Sequence, residues 1–226
     1  MAVITISRQY GSGGDEVALR VCEMLGYRLF DKHHISRAAV EAGLSEQEVI
    51  DYSEDNYRVK NFLDRLLRRP VAVAQVRVWK EDARGAHIPE TQPLSEIAAL
   101  NLVQKAVQAA YNAGGFVILG RGGQIILKDR PNVLHVRIEA PLEERIQRVK
   151  QQLKEEQAAY YADVGIRRAA QDLILARDAA SAEYIKQFYG LDWDDPSLYH
   201  AVLNTGRLGI EKTAEVIAAM ARILFT

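Results

Sequence analysis

Cysteine is nearly absent from this chain, which has one, Cys22, among 226 residues. A single cysteine excludes a disulfide within the chain. Cys22 lies on the apolar side of a predicted first helix, where a free thiol packs as a small apolar group more readily than it serves as a nucleophile. We therefore expect Cys22 to belong to the core.

Long apolar runs and net charge are also absent. No stretch approaches the roughly 20 apolar residues of a membrane span. The net charge of −1 and a pI of about 6.5 leave no broad electrostatic footprint for nucleic acid or an anionic membrane. The chain begins directly in a predicted strand, without a charged leader segment. We expect a soluble, cytoplasmic protein that binds neither nucleic acid nor membrane.

The residues that are present predict one α/β domain. With 226 residues, 48% of them hydrophobic, the chain can bury a sizeable core. Strands are predicted near residues 2–6, 27–30, 116–119, 133–138 and 198–203, each followed by a helix. This alternation is typical of a doubly wound parallel sheet.

The first sixteen residues, MAVITISRQYGSGGDE, combine a strand, a glycine turn and the start of a helix. Residues 2–6 form a β-branched apolar run, as expected of a central strand covered on both faces. Gly11, Gly13 and Gly14 allow a sharp turn whose backbone N–H groups can approach an anion. The helix predicted over 15–25 points its positive end at the same place. These features predict a phosphate-binding turn, with tight packing as the alternative.

This turn departs from the complete phosphate-binding signature G-x-x-x-x-G-K-[ST]. With Gly13 aligned to the second glycine, Arg8 stands at the first glycine, Gly14 at the lysine and Asp15 at the hydroxyl position. Loss of the lysine removes a charge from the β- and γ-phosphates, and loss of the hydroxyl weakens Mg²⁺ placement. Arg8 is the candidate for replacing that charge. In the alternative it pairs with Asp15 or Glu16 and holds the turn shut.

Charged residues follow two other predicted strands. Asp31 ends YRLFD, and Arg121 follows FVIL in a Gly-Arg-Gly-Gly turn. Because ligands of open α/β sheets bind at the carboxyl ends of strands, both positions predict ligand contact, with pairing of Arg121 to a carboxylate as the alternative. We expect no metal site at His33 and His34, since no second cluster with zinc-like spacing accompanies them.

Residues 44–93 break the alternation of strands and helices. They hold an acidic capping box, SEQE, and then an amphipathic helix, SEDNYRVKNFLDRLLRRP, which Pro70 ends. The rest of the segment, with its prolines and Gly85, is hard to assign from the pattern. We expect a helical insertion that faces the substrate.

Residues 141–190 are predicted to form a lid. Pro141 opens a helix at its favoured first-turn position, and Arg145 and Arg148 share one face of that helix. In a phosphotransferase such arginines close over the transferred phosphoryl group. In the alternative they pair with glutamates of their own helix, a contribution of only tenths of a kcal/mol.

The order and spacing of six segments resemble the cytidylate kinase-like family, a divergent relative of bacterial cytidylate kinase among the P-loop nucleoside monophosphate kinases. The segments span nearly the whole chain: ITISRQYGSGGDEVA, YRLFDK, FVILGRGGQIIL, NVLHVRIEAPLEERIQRV, AEYIKQFYGLDW and DPSLYHAVLNTGRLGIE. The resemblance implies a three-layer P-loop kinase fold over residues 1–226, with a five-stranded parallel sheet, helices on both faces and a helical insertion.

The resemblance also implies roles for individual residues. Asp31 and Arg121 would face the acceptor nucleotide, and Arg148 would be the lid arginine, with Arg145 a weaker candidate. Arg8, Arg121 and Arg148 are therefore the candidate catalytic residues. The donor, ATP with Mg²⁺, would place its phosphates against Gly11, Ser12, Gly13, Gly14, Asp15 and Glu16. No protein ligand for the Mg²⁺ is identified.

Further departures from the family pattern keep two functions open. Gly122 stands where cytidylate kinase has an aspartate, and Ser181 replaces the arginine of a D-x-x-R-A-x-Y pattern. One function is transfer of the ATP γ-phosphate to a nucleoside monophosphate such as CMP, or to another small acceptor. The other is that of a catalytically impaired nucleotide-binding sensor or scaffold. The aromatic residues from Tyr184 to Trp193 suit either a partner surface, as in a homo-oligomer, or a small satellite core.

Overall fold

The computed structural model describes residues 2–30, 34, 74–81, 87–94, 96–156 and 163–225. Its strands are β1 (Val3–Arg8), β2 (Arg28–Phe30), β3 (Ala74–Glu81), β4 (His87–Leu94), β5 (Phe116–Leu119), β6 (Val133–Glu139) and β7 (Ala201–Asn204). Its helices are α1 (Gly14–Leu25), α2 (Glu96–Ala113), α3 (Gly123–Ile126), α4 (Leu142–Glu156), α5 (Asp163–Tyr189), α6 (Thr205–Leu208) and α7 (Ile210–Leu224). Among the described helices, none has the length and apolar character needed to cross a membrane.

Five strands form one parallel sheet in the order β2-β5-β1-β6-β7, which confirms the predicted sheet. β1 lies at its centre, between β5 and β6, and its apolar side chains are fully buried. The last strand begins at Ala201, later than predicted. The reason is a short 3-10 helix, Pro196–Leu198, which the Asp195 side chain caps by accepting from the Ser197 N–H.

Helices cover both faces of this sheet in three layers, as the family resemblance implies. Alternate residues of a strand point to opposite faces. On one face, Val21 of α1 and Ile217 of α7 pack with Ile4 of β1. On the other face, Val107 of α2 packs with Val3. The carboxyl ends of all five strands therefore form one edge, flanked by helices on both sides.

Cys22 is buried among the α1 and α7 side chains of the first of these clusters. Burial, with a smaller contribution from the charge of Glu23, raises the pKa of its thiol to about 11. The thiol therefore stays protonated at neutral pH and is a poor nucleophile. The prediction that Cys22 packs in the core is confirmed.

The described part of the insertion is a β-hairpin. β3 and β4 pair antiparallel over eight residues each, from Ala74 opposite Leu94 to Glu81 opposite His87. The expectation of a helical insertion is therefore wrong over these residues, while the predicted amphipathic helix before Pro70 lies outside the described residues. Pro89 and Pro93 of β4 have no N–H to donate, so they would disfavour a central strand. Both strands of a two-stranded sheet are edge strands, which tolerate proline.

The predicted lid region consists of α4 and α5, packed against each other. Their contact buries Ile146 and Val149 of α4 against Ile174 of α5. The end of α5 and the chain after it form a second small core, in which Tyr184 and Trp193 are 8% and 6% exposed. Of the two interpretations of this aromatic segment, the satellite core is the one the structure supports.

Candidate functional site

The turn that leads from β1 into α1 lies at the carboxyl edge of the sheet. Gly11 and Gly13 have positive φ angles of 75° and 78°, a conformation that favours glycine. The Val17 N–H donates to the Gly13 carbonyl at 3.0 Å, and no side chain of the described residues caps the helix. Residues 14–16 therefore present N–H groups without an intrahelical acceptor, and the positive end of α1 is open to an anion.

Ser12, in the middle of this turn, is fully buried. Its N–H donates to the Gln9 carbonyl at 3.1 Å, and its own carbonyl accepts from the Thr205 hydroxyl at 2.5 Å. Within the described part of the chain, its Oγ has no hydrogen-bond partner. A buried polar atom without a partner costs about 1–3 kcal/mol, so this hydroxyl is suited to an oxygen atom of a ligand.

Arg8 ends β1 and packs against Gly14, the first residue of α1. A Cβ added to Gly14 would lie 2.6 Å from the Cβ and 2.8 Å from the Cγ of Arg8. The Arg8 side chain is 13% exposed, and its Nη2 lies 3.4 Å from an oxygen of the Asp15 carboxylate. The two altered positions of the loop motif are therefore coupled, because arginine at the first-glycine position requires glycine at the lysine position.

Arg148 and Thr205 brace the turn from two other elements. Arg148 Nη1 donates to the Gly11 carbonyl at 3.3 Å and lies 3.3 Å from Thr205 Oγ1. The predicted lid arginine thus contacts the predicted phosphate-binding turn. Thr205 was not predicted, although a signal exists: it follows Asn204, which ends β7 at the same edge and caps α6 with its side chain.

Arg121 lies in the turn from β5 to α3, with a φ of 61°. The N–H of the preceding Gly120 donates to the Ile6 carbonyl at 2.8 Å, which holds this turn beside β1. Gly122 packs against Tyr189, since an added Cβ would lie 3.0 Å from the tyrosine ring. Tyr189 thus fills the space that a longer side chain at position 122 would need.

The remaining predicted residues after β2 are only partly described. Asp31 and His33 lie outside the described residues. The His34 ring stacks on the Phe30 ring with 5.3 Å between centroids and meets the Phe116 ring edge-on at 5.0 Å. Among the residues that the structure describes, no group of three or more His, Cys, Asp or Glu side chains could hold a metal ion.

Arg145 and Ser181 show how the predicted lid region differs from the expected pattern. Arg145 is 7% exposed and forms an ion pair with Asp178 of α5 at 2.5 Å. The partner of Arg145 is thus a residue of the neighbouring helix, and not a glutamate of α4 as in the alternative interpretation. Ser181 lies about one helical turn after Asp178 and is 3% exposed, so a buried small side chain stands where the resemblance implies an arginine.

A polar network lies at the carboxyl end of β6, the strand that pairs with β1. Arg137 is 2% exposed and donates to Glu139 at 2.6 Å and to the Trp193 carbonyl at 2.9 Å. Its Cζ lies 4.3 Å from the centroid of the Trp193 ring, whose Nε1–H donates to Ser7 Oγ at 2.9 Å. The network ties the segment after α5 to β1 and β6, and so stiffens the strand that carries Arg8.

Comparison with known proteins gives relatives over nearly the whole chain. The model of the cytidylate kinase-like family matches residues 3–207. A cytidylate kinase of Halobacterium salinarum is 22% identical over 221 residues, covering 95% of this chain and 86% of the relative. The crystal structure of an uncharacterized protein from Eubacterium ventriosum superposes with a TM-score of 0.60 at 18% identity, covering 98% of this chain and 99% of the other.

Proposed function

This chain belongs to the cytidylate kinase-like family, and on that premise we propose that it transfers the γ-phosphoryl group of ATP to a small acceptor, such as the nucleoside monophosphate CMP. The observation that carries the proposal is the turn between β1 and α1. It combines a helix N-terminus that no described side chain caps, a buried Ser12 hydroxyl and two arginines, Arg8 and Arg148, from different elements. Phosphoryl transfer depends on positioning and charge stabilisation, which this combination supplies.

In this proposal the residues Gly11 to Glu16 hold the donor phosphates through backbone N–H groups. Arg8 supplies the charge that a lysine supplies in the complete motif, approaching from the end of β1 instead of the start of α1. Arg148 adds a second guanidinium from the lid. Arg121 and Asp31, which follow β5 and β2, face the acceptor.

The residues of the turn fit the phosphates of ATP, because their free N–H groups and the Ser12 hydroxyl are donors. They also fit Mg²⁺, which keeps several waters and takes one or two carboxylates in addition to phosphate oxygens. Asp15 is the carboxylate at the hydroxyl position of the motif, and its side chain is 63% exposed. When bound, Mg²⁺ would neutralise charge on the phosphates.

A second function has support from the same turn. Gly14 and Asp15 remove both the lysine and the hydroxyl of the motif. Loss of one preorganised donor costs about 2.7–4 kcal/mol of transition-state stabilisation, a factor of about 10² to 10³ in rate. If Arg8 stays paired with Asp15 when nucleotide binds, the protein is a nucleotide-binding sensor or scaffold without turnover.

A coupled ADP-release assay with Mg²⁺ and CMP, dCMP, UMP or AMP, run beside calorimetric titration with ATP, separates the two functions. Turnover with any acceptor supports the kinase, whereas binding without turnover supports the sensor, and absence of binding contradicts both. Arg148→Ala should lower turnover about 10²-fold or more. Arg168→Ala, an arginine of α5 that is 88% exposed, is the matched control and should leave turnover unchanged.

A further inference from the structure

The backbone of Tyr10, directly before the first glycine of the turn, is held at both of its polar atoms. Its N–H donates to Asp178 Oδ1 at 2.8 Å. Its carbonyl accepts from Arg145 Nη1 at 3.3 Å. Arg145 Nη1 also binds the second oxygen of Asp178 at 2.5 Å, which closes a ring of three interactions. Arg145 belongs to α4 and Asp178 to α5, so both helices bind the backbone of the same residue.

The Tyr10 side chain strengthens this contact. Its ring packs with Ile146, Val149 and Ile174 in the core between the two helices. The Cζ of Arg177, the neighbour of Asp178, lies 5.6 Å from the ring centroid. The Tyr10 side chain therefore packs against both α4 and α5, which couples the position of this residue to that of the two helices.

Gly11 carries the contact into the phosphate-binding turn. A Cβ added there would lie 2.8 Å from Val149 Cγ2 and 3.1 Å from the Arg145 carbonyl oxygen. The turn thus lies directly against α4, with no room for a side chain. α4 therefore contacts both Tyr10 and Gly11, the residues that begin the turn.

The ion pair is buried enough for its geometry to matter. The Arg145 side chain is 8% exposed and that of Asp178 is 19% exposed. Charge-assisted hydrogen bonds in such surroundings are stronger and more directional than at the surface, where a pair is screened by water. Because Arg145 is committed to Asp178 and Tyr10, Arg148 is the arginine of this face that is left to reach the turn.

We propose that Arg145 and Asp178 form a clamp on Tyr10 that couples the α4 and α5 lid to the phosphate-binding turn. Both are positioning residues, which act on the donor phosphates through the turn. The proposal rests on the proposed nucleotide function for its consequence, although the clamp itself is a property of the protein without nucleotide. Opening of the lid would strain or release the turn, and a bound phosphate would hold the lid closed.

The chain offers a matched control for this clamp. Glu143 of α4 and Arg167 of α5 form a second, bidentate pair between the same helices, at 2.6 and 2.7 Å. Both side chains are about half exposed. Neither takes part in the three interactions that define the clamp. Glu143→Gln removes one link between α4 and α5 without removing a partner of the turn.

Hydrogen exchange followed by mass spectrometry on peptides spanning Tyr10 tests the clamp without nucleotide. Asp178→Ala and Arg145→Ala should each speed exchange of the turn amides about tenfold, as for loss of a hydrogen bond to a charged group. Asp178→Asn is a milder change that keeps an acceptor for the Tyr10 N–H. It should show a smaller effect in the same direction, and it keeps the test valid if the alanine variants do not fold. Glu143→Gln should leave exchange of the turn within about twofold of the parent protein.

Calorimetric titration with ATP and Mg²⁺ measures the consequence for the proposed function. The dissociation constant should rise about tenfold in Asp178→Ala and change by less than about twofold in Glu143→Gln. The double variant Arg145→Ala/Asp178→Ala should weaken binding no more than either single variant, because the two residues act as a unit. The clamp would be overturned if the Arg145 and Asp178 variants left exchange of the turn amides unchanged. It would also be overturned if Glu143→Gln sped that exchange as much as they do. If the parent protein binds no nucleotide, the proposed function fails, and the exchange data alone decide the clamp.

Discussion

At the scale of single residues, Arg8 and Gly14 have exchanged roles within the loop motif. The complete motif has a glycine at the first position and a lysine at the seventh, and this chain has an arginine and a glycine there. The contact between them supplies the physical reason, because the stem of Arg8 occupies the space next to the Gly14 Cα. One positively charged side chain is thus retained near the turn, but it belongs to the end of β1 instead of the start of α1.

A pair of substitutions tests this exchange. Gly14→Lys alone should lower the free energy of unfolding by about 1–3 kcal/mol, since its Cβ would collide with Arg8. Arg8→Gly alone should weaken ATP binding, because the cation is lost. The double variant Arg8→Gly/Gly14→Lys should recover both properties, which denaturant unfolding and calorimetry would measure.

Arg20→Ala is the control for this pair, since Arg20 is an exposed arginine of α1 that pairs with Glu23 and Glu211. It should not change the dissociation constant of ATP. If the losses of stability and of ATP affinity in the two single variants simply added in the double variant, the proposed exchange of roles between Arg8 and Gly14 would be refuted. Unchanged affinity in Arg8→Gly would show that Arg8 does not bind the nucleotide.

At the scale of elements, the junction of β7 and α6 supports the turn together with α4. The Thr205 hydroxyl donates to the Ser12 carbonyl at 2.5 Å, lies 3.3 Å from the Glu139 carbonyl, and accepts from Arg148. It thereby joins the ends of β6 and β7 to the phosphate-binding turn. The turn is fixed on two sides, by α6 and by the α4 and α5 pair.

Thr205→Val should weaken ATP binding about fivefold to tenfold and lower the free energy of unfolding by about 1 kcal/mol, because one buried hydrogen bond is lost. Thr213→Val in α7 is the matched control. Its hydroxyl is also fully buried, but it donates to the Gly209 carbonyl at 2.6 Å and not to a residue of the turn. It should lose similar stability and keep the affinity, so equal affinities in both variants would contradict a role for α6 in binding.

At the scale of the whole molecule, stability depends on a buried histidine that links three parts of the chain. His135 of β6 is 4% exposed, and its Nδ1 lies 2.7 Å from the Thr5 hydroxyl of β1. Its N–H donates to His200 Nδ1 at 2.9 Å, and the two rings stack with 5.2 Å between centroids. Burial, then the charge of His200, lowers the pKa of His135 to about 4 from 6.5.

This shift makes stability fall in mild acid. The unfolded chain takes up a proton near pH 6.5, and the folded protein does so only near pH 4, so protonation favours the unfolded state between these values. The free energy of unfolding should fall by up to about 3 kcal/mol across that window. His135→Gln should remove this part of the slope, as measured by denaturant unfolding at a series of pH values.

His200→Gln serves as the control, because it leaves the imidazole of His135 buried against Thr5. It should keep most of the slope. A slope that is the same in the parent protein and in His135→Gln would show that other groups cause the loss of stability in acid.

Local pattern was enough to predict most of the sheet and the first helix. The strand over 116–119 and the helix over 15–25 lie where the sequence placed them, to within one residue, because apolar runs and 3.6-residue periodicity report burial directly. The hairpin of β3 and β4 was not predicted. Its two prolines argue against a strand unless that strand is known to lie at the edge of a sheet. Within the site, the glycine turn was recognised from its own residues, and Arg148 from the family resemblance.

The sequence alone determined that one α/β domain begins with a glycine turn without the phosphate-binding lysine. Only the tertiary structure decided how that turn is held. Thr205 is 193 residues from Ser12 and Asp178 is 168 residues from Tyr10, and no periodicity connects residues so far apart. Parallel strands bring their carboxyl ends to one edge whatever their separation along the chain, and at that edge distant residues become neighbours of the turn.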